Sequence, residues 1–478
     1  MNKSKLLFFI LLFQLHLQGQ TISSLGTKGI VELECIQSKT TNTFIVASME
    51  RISTQPNNRE RTLIHRSIDN GMTWSVIDSI EPRNLEATVA DPVLAHDDVG
   101  NFYLIVMRVI SWDDWIIDLE LYKSIDDGLS WKFISKPYHD GKASDYPQLI
   151  AKGNGELFLV YNLADFVIQP WDVKINFTKS VNGGETWSTP HSFLIPQEFF
   201  NFNTGPDISW GKNKKLFVTF GSVVHNQIYH FTSNDFGDNW SNISISNNST
   251  TISNNITKPI SHTNFNFAGV LSHEPHETNT PITYHSFIDE NWNSIKLSDG
   301  AYAQGYITSD GNVHVIYNQK EFNTFNLKYV FSENKGKTFS TPMVLYSAEY
   351  TNDELGEYQS LTLGNDGNFY LAFCDWADNS KAKMLVFSSR TTGTENIFQN
   401  NFQIWPNPAS DKLNIKLENP LITESILLIS SDGRLIKKLN VELRYNLYEM
   451  DISNISKGMY SFIVKEFNRV LVQKLIVL

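Results

Sequence analysis

The chain has 478 residues, a formal net charge of −12, 13% aromatic residues and 19% charged residues. This length allows two or three domains, and the aromatic content excludes wholesale disorder. Lys and Arg form no cluster or stripe, so we expect no nucleic-acid partner.

The N-terminus has the pattern of a secretory signal peptide. A basic start, MNKSK, precedes the apolar run LLFFILLFQLHLQGQ, which ends in small and polar residues. We therefore expect residues 1–20 to be a signal peptide and the mature protein to be exported. No later apolar run is long enough to predict a transmembrane helix.

An eight-residue phrase recurs in the region that follows. It reads Ser-x-Asp/Asn-x-Gly-x-Thr/Ser-Trp/Phe, and its five serines are separated by 57, 56, 53 and 99 residues. A nearly fixed period of this size is typical of repeat architectures built from one supersecondary unit.

The residues of the phrase predict a tight hairpin. Asp or Asn accepts hydrogen bonds from backbone N–H groups two or three residues on, Gly supplies a positive φ, and the aromatic residue packs the hairpin onto its own sheet. These structural residues are Asp69, Gly71, Trp74, Asp126, Gly128, Trp131, Asn182, Gly184, Trp187, Asp235, Gly237, Trp240, Asn334, Gly336 and Phe339.

Short strand-like runs, rich in β-branched and aromatic residues, precede each phrase. They predict seven units, which begin near residues 30, 87, 143, 203, 263, 301 and 357. The fifth unit has only a degenerate phrase, HSFIDENW, and the seventh has none. The segment 241–257 is rich in Ser, Asn and Thr, which predicts an exposed loop or an irregular strand.

The phrase and its spacing resemble the Asp-boxes (BNR repeats) of sialidase-like β-propellers. The resemblance implies that residues 21–392 form an all-β propeller. Six and seven blades are both open, because the first unit could share a blade with the last. In that family the boxes are structural and lie far from the active site.

A change of composition after Arg390 marks a second domain. Residues 393–402 are expected to be a linker, and 403–478 resemble the C-terminal sorting domain of Bacteroidetes type IX secretion. This resemblance implies a small β-sandwich, the type IX machinery as a partner, and a secreted or outer-surface location reached through the periplasm. The alternative is an ordinary fibronectin-like sandwich. The matching residues are Pro406, Asn407, Pro408, Asp411, Gly433, Arg434, Gly458, Tyr460 and Lys474.

The repeats can be aligned through the Gly turn between their first two strands. Nine residues before that turn, four units carry Asp91, Tyr146, Tyr302 and Tyr358, and the fourth unit carries Gly205. In a propeller these residues would share one level of the innermost strands. They would then surround the mouth of the central channel, on the face opposite the Asp-boxes.

Loops expected on that same face carry further aromatic and acidic residues. Flat aromatic faces stack on sugar rings and carboxylates accept hydrogen bonds from hydroxyls, so these residues favour binding of an extracellular glycan or a cell-surface ligand. Packing of blade against blade is the alternative role for each aromatic residue. The candidates are Trp112, Trp115, Trp171 and Trp376, with the carboxylates Asp145 and Glu357.

Sialidase activity is not expected, although EYQSLTLGNDGNFYLAF resembles the family's nucleophile segment and places Tyr358 at its Tyr position. The family uses three arginines to hold a carboxylate, and bidentate pairing makes Arg suited to this task. Arg51 aligns with the wrong strand, and only Lys328 stands near the third position. A glycoside hydrolase using Asp91, Asp145, Glu357 and Tyr358 remains the alternative to a binding protein.

No metal-ligand spacing and no phosphate-binding Gly loop is present, so neither a metal nor a cofactor is expected. The two cysteines, Cys35 and Cys374, fall in the first and last units. Two free buried thiols are the expectation, and a disulfide across the ring closure is the alternative.

Overall fold

The structure is a computed structural model of the chain, which divides into two compact units, Met1–Ser389 and Arg390–Leu478. The predicted signal peptide and linker lie almost entirely outside the described residues and stay predictions. The structure describes residues 20–53, 59–83, 88–137, 142–165, 172–193, 205–211, 214–222, 227–242, 244–245, 256–260, 268–273, 280–288, 291–321, 324–349, 359–375, 378–388, 402–417, 423–430, 435–440, 447–466 and 469–478.

The first unit consists of antiparallel four-stranded blades. The first described strand, β1 (Thr21–Ser24), belongs to the last blade. Blade 1 consists of β2 (Ile30–Gln37), β3 (Phe44–Ser53), β4 (Arg59–Ser67) and β5 (Ser75–Ile80). Blade 2 consists of β6 (Val89–His96), β7 (Phe102–Ser111), β8 (Ile116–Ser124) and β9 (Lys132–Ser135). Blade 3 consists of β10 (Ala143–Lys152), β11 (Glu156–Asp165), β12 (Asp172–Ser180) and β13 (His191–Phe193).

The remaining blades follow the same order. A 3₁₀ turn, Gly153–Gly155, joins β10 to β11. Blade 4 consists of β14 (Asp207–Trp210), β15 (Leu216–Ser222), β16 (Gln227–Ser233) and β17 (Ser244–Ile245), and blade 5 of β18 (Ile256–Ile260), β19 (Ala268–His273), β20 (Thr280–Ile288) and the first half of β21 (Asn291–Ile307). Blade 6 consists of the second half of β21, β22 (Val313–Glu321), β23 (Thr324–Ser332) and β24 (Met343–Glu349). Blade 7 consists of β25 (Ser360–Leu363), β26 (Phe369–Asp375), β27 (Lys381–Phe387) and β1.

The blades form a closed ring. Each innermost strand contacts the next in the order β2, β6, β10, β14, β18, β21, β25, and β25 contacts β2 again. The N-terminal strand β1 pairs antiparallel with β27, from Thr21 opposite Val386 to Ser24 opposite Lys383. Strand pairing among the described residues therefore gives seven four-stranded blades, and the N-terminus supplies the outer strand of the last.

Blades 5 and 6 depart from the sequence expectation. The segment 241–257, expected to be an exposed loop or an irregular strand, contains β17 and the start of β18, and β18 begins blade 5 earlier than the expected residue 263. The long strand β21 pairs with β20 up to Gly300 and with β22 from Ala301. A Cβ at Gly300 would lie 2.5 Å from the Asn318 carbonyl oxygen, so only Gly fits where β21 passes between blades.

The cores of the ring lie between blades. The central strands, such as β7 and β11, are apolar on both faces because a neighbouring blade covers each side. One apolar cluster joins Ile105 and Leu121 of blade 2 to Leu149 and Leu159 of blade 3. This burial makes every blade depend on its neighbours for stability.

The five repeated phrases, here called Asp-boxes, all close the turn between the third and fourth strands of a blade. In blade 2, Asp126 Oδ1 accepts a hydrogen bond from the Ser130 N–H at 2.9 Å, and Gly128 N–H donates to Ser124 Oγ at 3.0 Å. The main donor to the Asp126 carboxylate is thus the residue four positions later, whereas the sequence predicted a donor two or three positions later. In the Asn boxes the geometry is kept, and the Asn182 amide donates to Thr186 Oγ1 at 2.9 Å.

The Asp-boxes also clasp the preceding blade, which corrects the expectation that each aromatic residue packs only onto its own sheet. The Trp240 ring lies 5.0 Å from that of Phe177 in blade 3, and Phe339 lies 5.3 Å from Tyr284 in blade 5. Trp187 Nε1 donates to Ser135 Oγ of blade 2 at 3.1 Å. The boxes therefore stabilise the joints of the ring.

The two cysteines are free thiols on neighbouring blades. Cys35 is buried in the apolar cluster shared by blades 1 and 7, and Cys374 packs against the same cluster. Burial raises the pKa of both thiols well above the ordinary range. Both side chains therefore act as small apolar residues in this state.

The second unit is a small β-sandwich, as the sequence predicted. Two sheets, in the orders β28-β29-β32 and β31-β30-β33-β34, share one apolar core. The strands are β28 (Phe402–Trp405), β29 (Lys412–Leu417), β30 (Thr423–Ser430), β31 (Leu435–Asn440), β32 (Leu447–Asp451), β33 (Gly458–Glu466) and β34 (Arg469–Val477).

The Pro-Asn-Pro motif of this unit holds the last strand. Asn407 Oδ1 accepts a hydrogen bond from the Ile476 N–H at 3.0 Å. Ala409 N–H donates to the Ile476 carbonyl at 2.9 Å, and Leu478 N–H donates to the Ala409 carbonyl at the same distance. The motif and the C-terminal strand thus form one hydrogen-bonded element.

Candidate functional site

The innermost strands share an unusual backbone feature at the aligned position. Asp91, Tyr146 and Tyr302 have φ values of +47°, +48° and +52°, and each lies in a β-bulge. A positive φ costs a residue with a Cβ about 1–2 kcal/mol, and such strain concentrates at functional sites. The alignment by spacing therefore finds equivalent positions in three blades.

These strands enclose a cavity at the centre of the ring, on the face opposite the Asp-boxes. The space between its lining residues, including the part that is open to solvent, is about 730 Å³. Six innermost strands, or the residues just before them, contribute to its lining. The aligned position contributes Asp91, Tyr146 and Gly205, and the position two residues further along contributes Val93, Gln148, Asp207, Gln304 and Ser360.

Tyr146 packs across the boundary between blades 3 and 4. A Cβ at Gly205 would lie 2.9 Å from Tyr146 Cδ1, so the absence of a side chain at this position leaves room for the ring. Tyr302 has the same backbone geometry, but its side chain is only 5% exposed. Its carbonyl accepts a hydrogen bond from Gln359 Nε2 at 2.6 Å, which ties blades 6 and 7 together.

Asp91 and Asp145 form a carboxyl pair beside the cavity. Asp91 lines the cavity, while Asp145 is buried behind it in β10 and hydrogen-bonded to the Asp91 side chain. Burial and then the charge of Asp91 raise the pKa of Asp145 to about 8, although the Tyr146 N–H, which donates to Asp145 Oδ1 at 2.8 Å, acts in the opposite direction. At neutral pH the pair therefore shares one proton.

The other predicted residues are not part of the described lining. Trp112 and Trp115 lie in the loop between β7 and β8, 38% and 42% exposed, with ring centroids 5.9 Å apart and rings nearly perpendicular. They form an exposed aromatic pair on the strand ends opposite the Asp-box turns. Glu357, Tyr358, Trp171 and Trp376 lie outside the described residues and stay predictions.

The sequence alignment missed several polar lining residues. Glu32 and Glu34 come from β2, the innermost strand of blade 1, and Gln148, Asp207 and Gln304 come from the position two residues after the aligned one. The second set lies two residues after the aligned position in each of these blades, so the spacing contained the signal for it. Glu34 also accepts a hydrogen bond from the Leu94 N–H at 2.8 Å.

Basic side chains are engaged away from the cavity. Arg51 pairs with Glu60 at 3.5 Å, and Arg108 pairs with the buried Glu120 at 2.7 Å. Lys328 contacts Glu321 at 2.5 Å on the strands of blade 6. Among the described lining residues there is no Lys, Arg or His, so these residues provide no clamp for a carboxylate.

Two further properties concern the described residues only. Within the described ranges, no group of three or more His, Cys, Asp or Glu side chains could hold a metal ion. No helix in the described part of the chain is long and apolar enough to cross a membrane.

Comparison with solved structures supports the class of fold. A polysaccharide lyase of family PL25, an ulvan lyase bound to -[GlcA(1-4)Rha3S]-, aligns with a TM-score of 0.52 at 12% identity, over 76% of this chain and 94% of that one. An α-L-arabinanase from Penicillium chrysogenum aligns with a TM-score of 0.44 at 13% identity, over 75% and 93%. A sialidase from Streptococcus pneumoniae aligns with a TM-score of 0.42 at 14% identity, over 77% and 69%.

The first unit therefore has a β-propeller fold, and the second unit defines how the protein leaves the cell. Residues 403–478 match the secretion system C-terminal sorting domain, which confirms the expectation from the sequence. The protein is thus exported by type IX secretion to the cell surface or the extracellular space. No curated protein sequence matches the chain.

Proposed function

We propose that this exported propeller binds an extracellular glycan in the central cavity opposite the Asp-boxes. The observation that carries the proposal is the cavity lining, where carboxyl, amide and hydroxyl groups from several blades converge around Tyr146. Convergent polar groups with an aromatic surface suit a sugar, whose hydroxyls need hydrogen bonds and whose ring faces stack. The glycan-bound ulvan lyase, which shares the fold, supports glycan as the ligand class.

Backbone strain supports the same location. Asp91 and Tyr146 line the cavity with positive φ values, and the neighbouring innermost strands have to hold them in that conformation. The exposed Trp112 and Trp115 pair stands on the same face and extends the surface available to a longer glycan.

The experiment is a screen of the full chain against neutral, acidic and amino oligosaccharides and sialosides, scoring binding and released sugar together. The Gln304→Ala variant removes a polar lining group, and Glu333→Gln changes an exposed residue of an Asp-box. We expect Gln304→Ala to weaken glycan binding about tenfold and Glu333→Gln to leave it unchanged. Equal binding by the Gln304→Ala variant and the unmodified chain would contradict this location.

Glycoside hydrolysis is the second candidate, and the carboxyl pair favours it. A protonated Asp145 in contact with Asp91 could supply a general acid at neutral pH. The two carboxyls are hydrogen-bonded, which is closer than the roughly 5–5.5 Å or 6.5–9.5 Å that separate the two carboxyls of retaining and inverting glycosidases. The pair would therefore act as one acid, opposite a carboxylate such as Asp207 or Glu32.

Released sugar separates the two candidates. A hydrolase predicts released sugar from at least one oligosaccharide and its loss in Asp91→Asn. A binding protein predicts bound but intact oligosaccharide in both proteins. Sialoside cleavage is not expected, because the described lining offers no cation to a sialic-acid carboxylate.

A further inference from the structure

The cavity has a strongly one-sided charge. Four side chains of its lining carry carboxyl groups, namely Glu32, Glu34, Asp91 and Asp207, and no described lining residue is basic. These groups come from three blades, so they surround the space rather than lying on one strand. A concave surface of one charge focuses its potential and concentrates ligands of the opposite charge.

The negative charge of the Asp91 and Asp145 pair depends on what is bound in the cavity. With the cavity empty, the pair holds a proton because two adjacent carboxylates repel each other. The charged groups that line the cavity with Asp91 are Glu32 and Glu34 on β2 and Asp207 on β14, and all of them oppose a second negative charge. A cationic group next to the pair would relieve this repulsion and release the proton.

A second observation concerns buried polar side chains next to the same part of the cavity. Three of the buried polar side chains without a hydrogen-bond partner in the described part of the chain lie on strands of blades 3 and 4: Asn162, Ser209 and Thr219, which are 0%, 8% and 0% exposed. Asn162 lies directly across from Asp145, and Thr219 lies directly across from Asp207, so each leaves the same sheet face as its carboxyl neighbour.

Unpartnered buried polar groups are costly and rare in folded proteins. Ser209 follows Asp207 by two residues on β14 and therefore points to the same side. All three side chains lie beside the carboxyl groups of Asp145 or Asp207, in blades 3 and 4. At the boundary of these two blades Tyr146 packs against Gly205. Ser209 therefore lies on the innermost strand directly below the lining residue Asp207, whereas Asn162 and Thr219 lie on the second strands behind the carboxyls.

We infer that the sugar unit bound in this cavity carries a protonated amino group, so that the ligand is a glycan with free amino sugars. Carboxylates of the lining would accept hydrogen bonds from the ammonium group, and the lining amides Gln148 and Gln304 would bind its neighbouring hydroxyls. The inference rests on the proposed function and names the ligand class of the same site.

The test uses three tetrasaccharides that differ in charge: a glucosamine tetramer, its fully N-acetylated counterpart and a galacturonic acid tetramer. Binding to the full chain is measured by calorimetry at pH 6.5, where the amino group is mostly protonated. We expect the amino tetramer to bind at least about tenfold more tightly than the N-acetylated one, and the acidic tetramer not to bind.

Two variants with the same change in charge locate the effect. Asp207→Asn removes one carboxylate of the cavity, and Glu333→Gln removes one exposed carboxylate on the Asp-box side. We expect Asp207→Asn to weaken binding of the amino tetramer about tenfold and of the N-acetylated tetramer much less. Glu333→Gln should bind both like the unmodified chain.

Proton release provides an independent readout. Calorimetry in two buffers of different ionisation enthalpy measures the net number of protons exchanged when the amino tetramer binds at pH 7. Uptake by the sugar amino groups is common to both proteins, so the unmodified chain should release up to one proton more than Asp145→Asn does. Equal affinity for the amino and N-acetylated tetramers, or a preference for the acidic one, would overturn the amino-sugar inference but leave glycan binding intact. No binding of any member of the wider oligosaccharide panel would overturn both proposals.

Discussion

The two ends of the blades differ in how closely the same residues and hydrogen bonds recur from one blade to the next. On the Asp-box side, five turns use the same hydrogen bonds, and each carboxylate or amide finds its partners within eight residues. On the cavity side, the aligned position carries Asp, Tyr or Gly, the carboxyls are paired under strain, and nearby polar groups lack described partners. Repetition therefore marks the groups that hold the ring together, and divergence marks the candidate site.

The largest expected effect tests the claim that Asp-box glycines are structural. Gly336 and Gly367 both have φ of +80°, but a Cβ at Gly336 would lie 2.1 Å from Tyr284 Cε1, whereas a Cβ at Gly367 would meet no atom within 4 Å. We expect Gly336→Ala to lower the free energy of unfolding by about 3 kcal/mol and Gly367→Ala by about 1 kcal/mol. Urea unfolding followed by tryptophan fluorescence measures both, and equal midpoints would contradict the clasp.

The next effect concerns the stability of the carboxyl pair. The pKa of Asp145 in the folded state is about 8, above its ordinary value of 3.8. Between about pH 4 and 8 this carboxyl therefore ionises only in the unfolded chain, and the free energy of unfolding falls as the pH rises. Asn cannot ionise and can keep both hydrogen bonds of the protonated carboxyl. We expect Asp145→Asn to stabilise the protein by on the order of 2 kcal/mol at pH 8 and by much less at pH 5.

Urea midpoints at pH 5 and pH 8 measure this difference for the Asp145→Asn variant. Asp98→Asn is a suitable control, because Asp98 is an exposed acid paired with Lys39. The prediction is wrong if Asp145→Asn lowers stability at both pH values.

A smaller effect separates Asp boxes from Asn boxes. Hydrogen bonds from the Asn239 side chain and backbone lower the pKa of Asp235 to about 2. This stabilisation is present above about pH 4 and is lost as the pH falls through 2, and solvent exposure limits it to roughly 1 kcal/mol. The double variant Asp235→Asn/Asn239→Thr reproduces the pair found at Asn182 and Thr186.

We expect this double variant to match the unmodified chain at pH 7 and to lose less stability between pH 4 and pH 2. Thermal unfolding at several pH values provides the measurement. An unchanged acid response would show that the box carboxylate does not contribute to it.

The smallest expected effect concerns the exposed tryptophan pair. Trp112→Ala removes one stacking surface outside the cavity, and we expect about threefold weaker binding of a glycan long enough to reach it. Trp405→Ala, which removes an equally exposed tryptophan of the sorting domain, should change nothing. Binding isotherms with a short and a long oligosaccharide test this, and equal losses for both lengths would count against an extended surface.

The sequence predicted the repeated part of the structure well and the unique part less completely. The spacing of the boxes and the alternation of strands predict the propeller, and the Pro-Asn-Pro motif predicts the sorting domain. The innermost strand of blade 5, β18, was expected too late in the chain, near residue 263, because it contains a proline and directly follows a segment rich in Ser, Asn and Thr. The N-terminal strand β1 was missed because its partner lies about 360 residues away, which no local pattern encodes.

In the candidate site, too, the repeated features could be predicted from the sequence and the unique ones could not. Equivalent backbone positions could be found by counting from the Gly turn, since the repeat fixes the register of Asp91, Tyr146 and Tyr302. The contact between Asp91 and Asp145 could not be found in this way, because it joins two blades through side chains. The lining residues Gln148, Asp207 and Gln304 needed one further step, which is to count two residues on from the aligned position.

The most direct test of the cavity as the binding site uses Gly205→Ala and the Gly367→Ala control. The added methyl group of Gly205→Ala would displace Tyr146 without changing any charge, whereas Gly367→Ala alters only a turn on the Asp-box side. With both variants shown to be folded by thermal unfolding, glycan affinity is measured for each. We predict about tenfold weaker binding for Gly205→Ala and unchanged binding for Gly367→Ala. Unchanged binding by Gly205→Ala, or an equal loss in both variants, would contradict the location of the site.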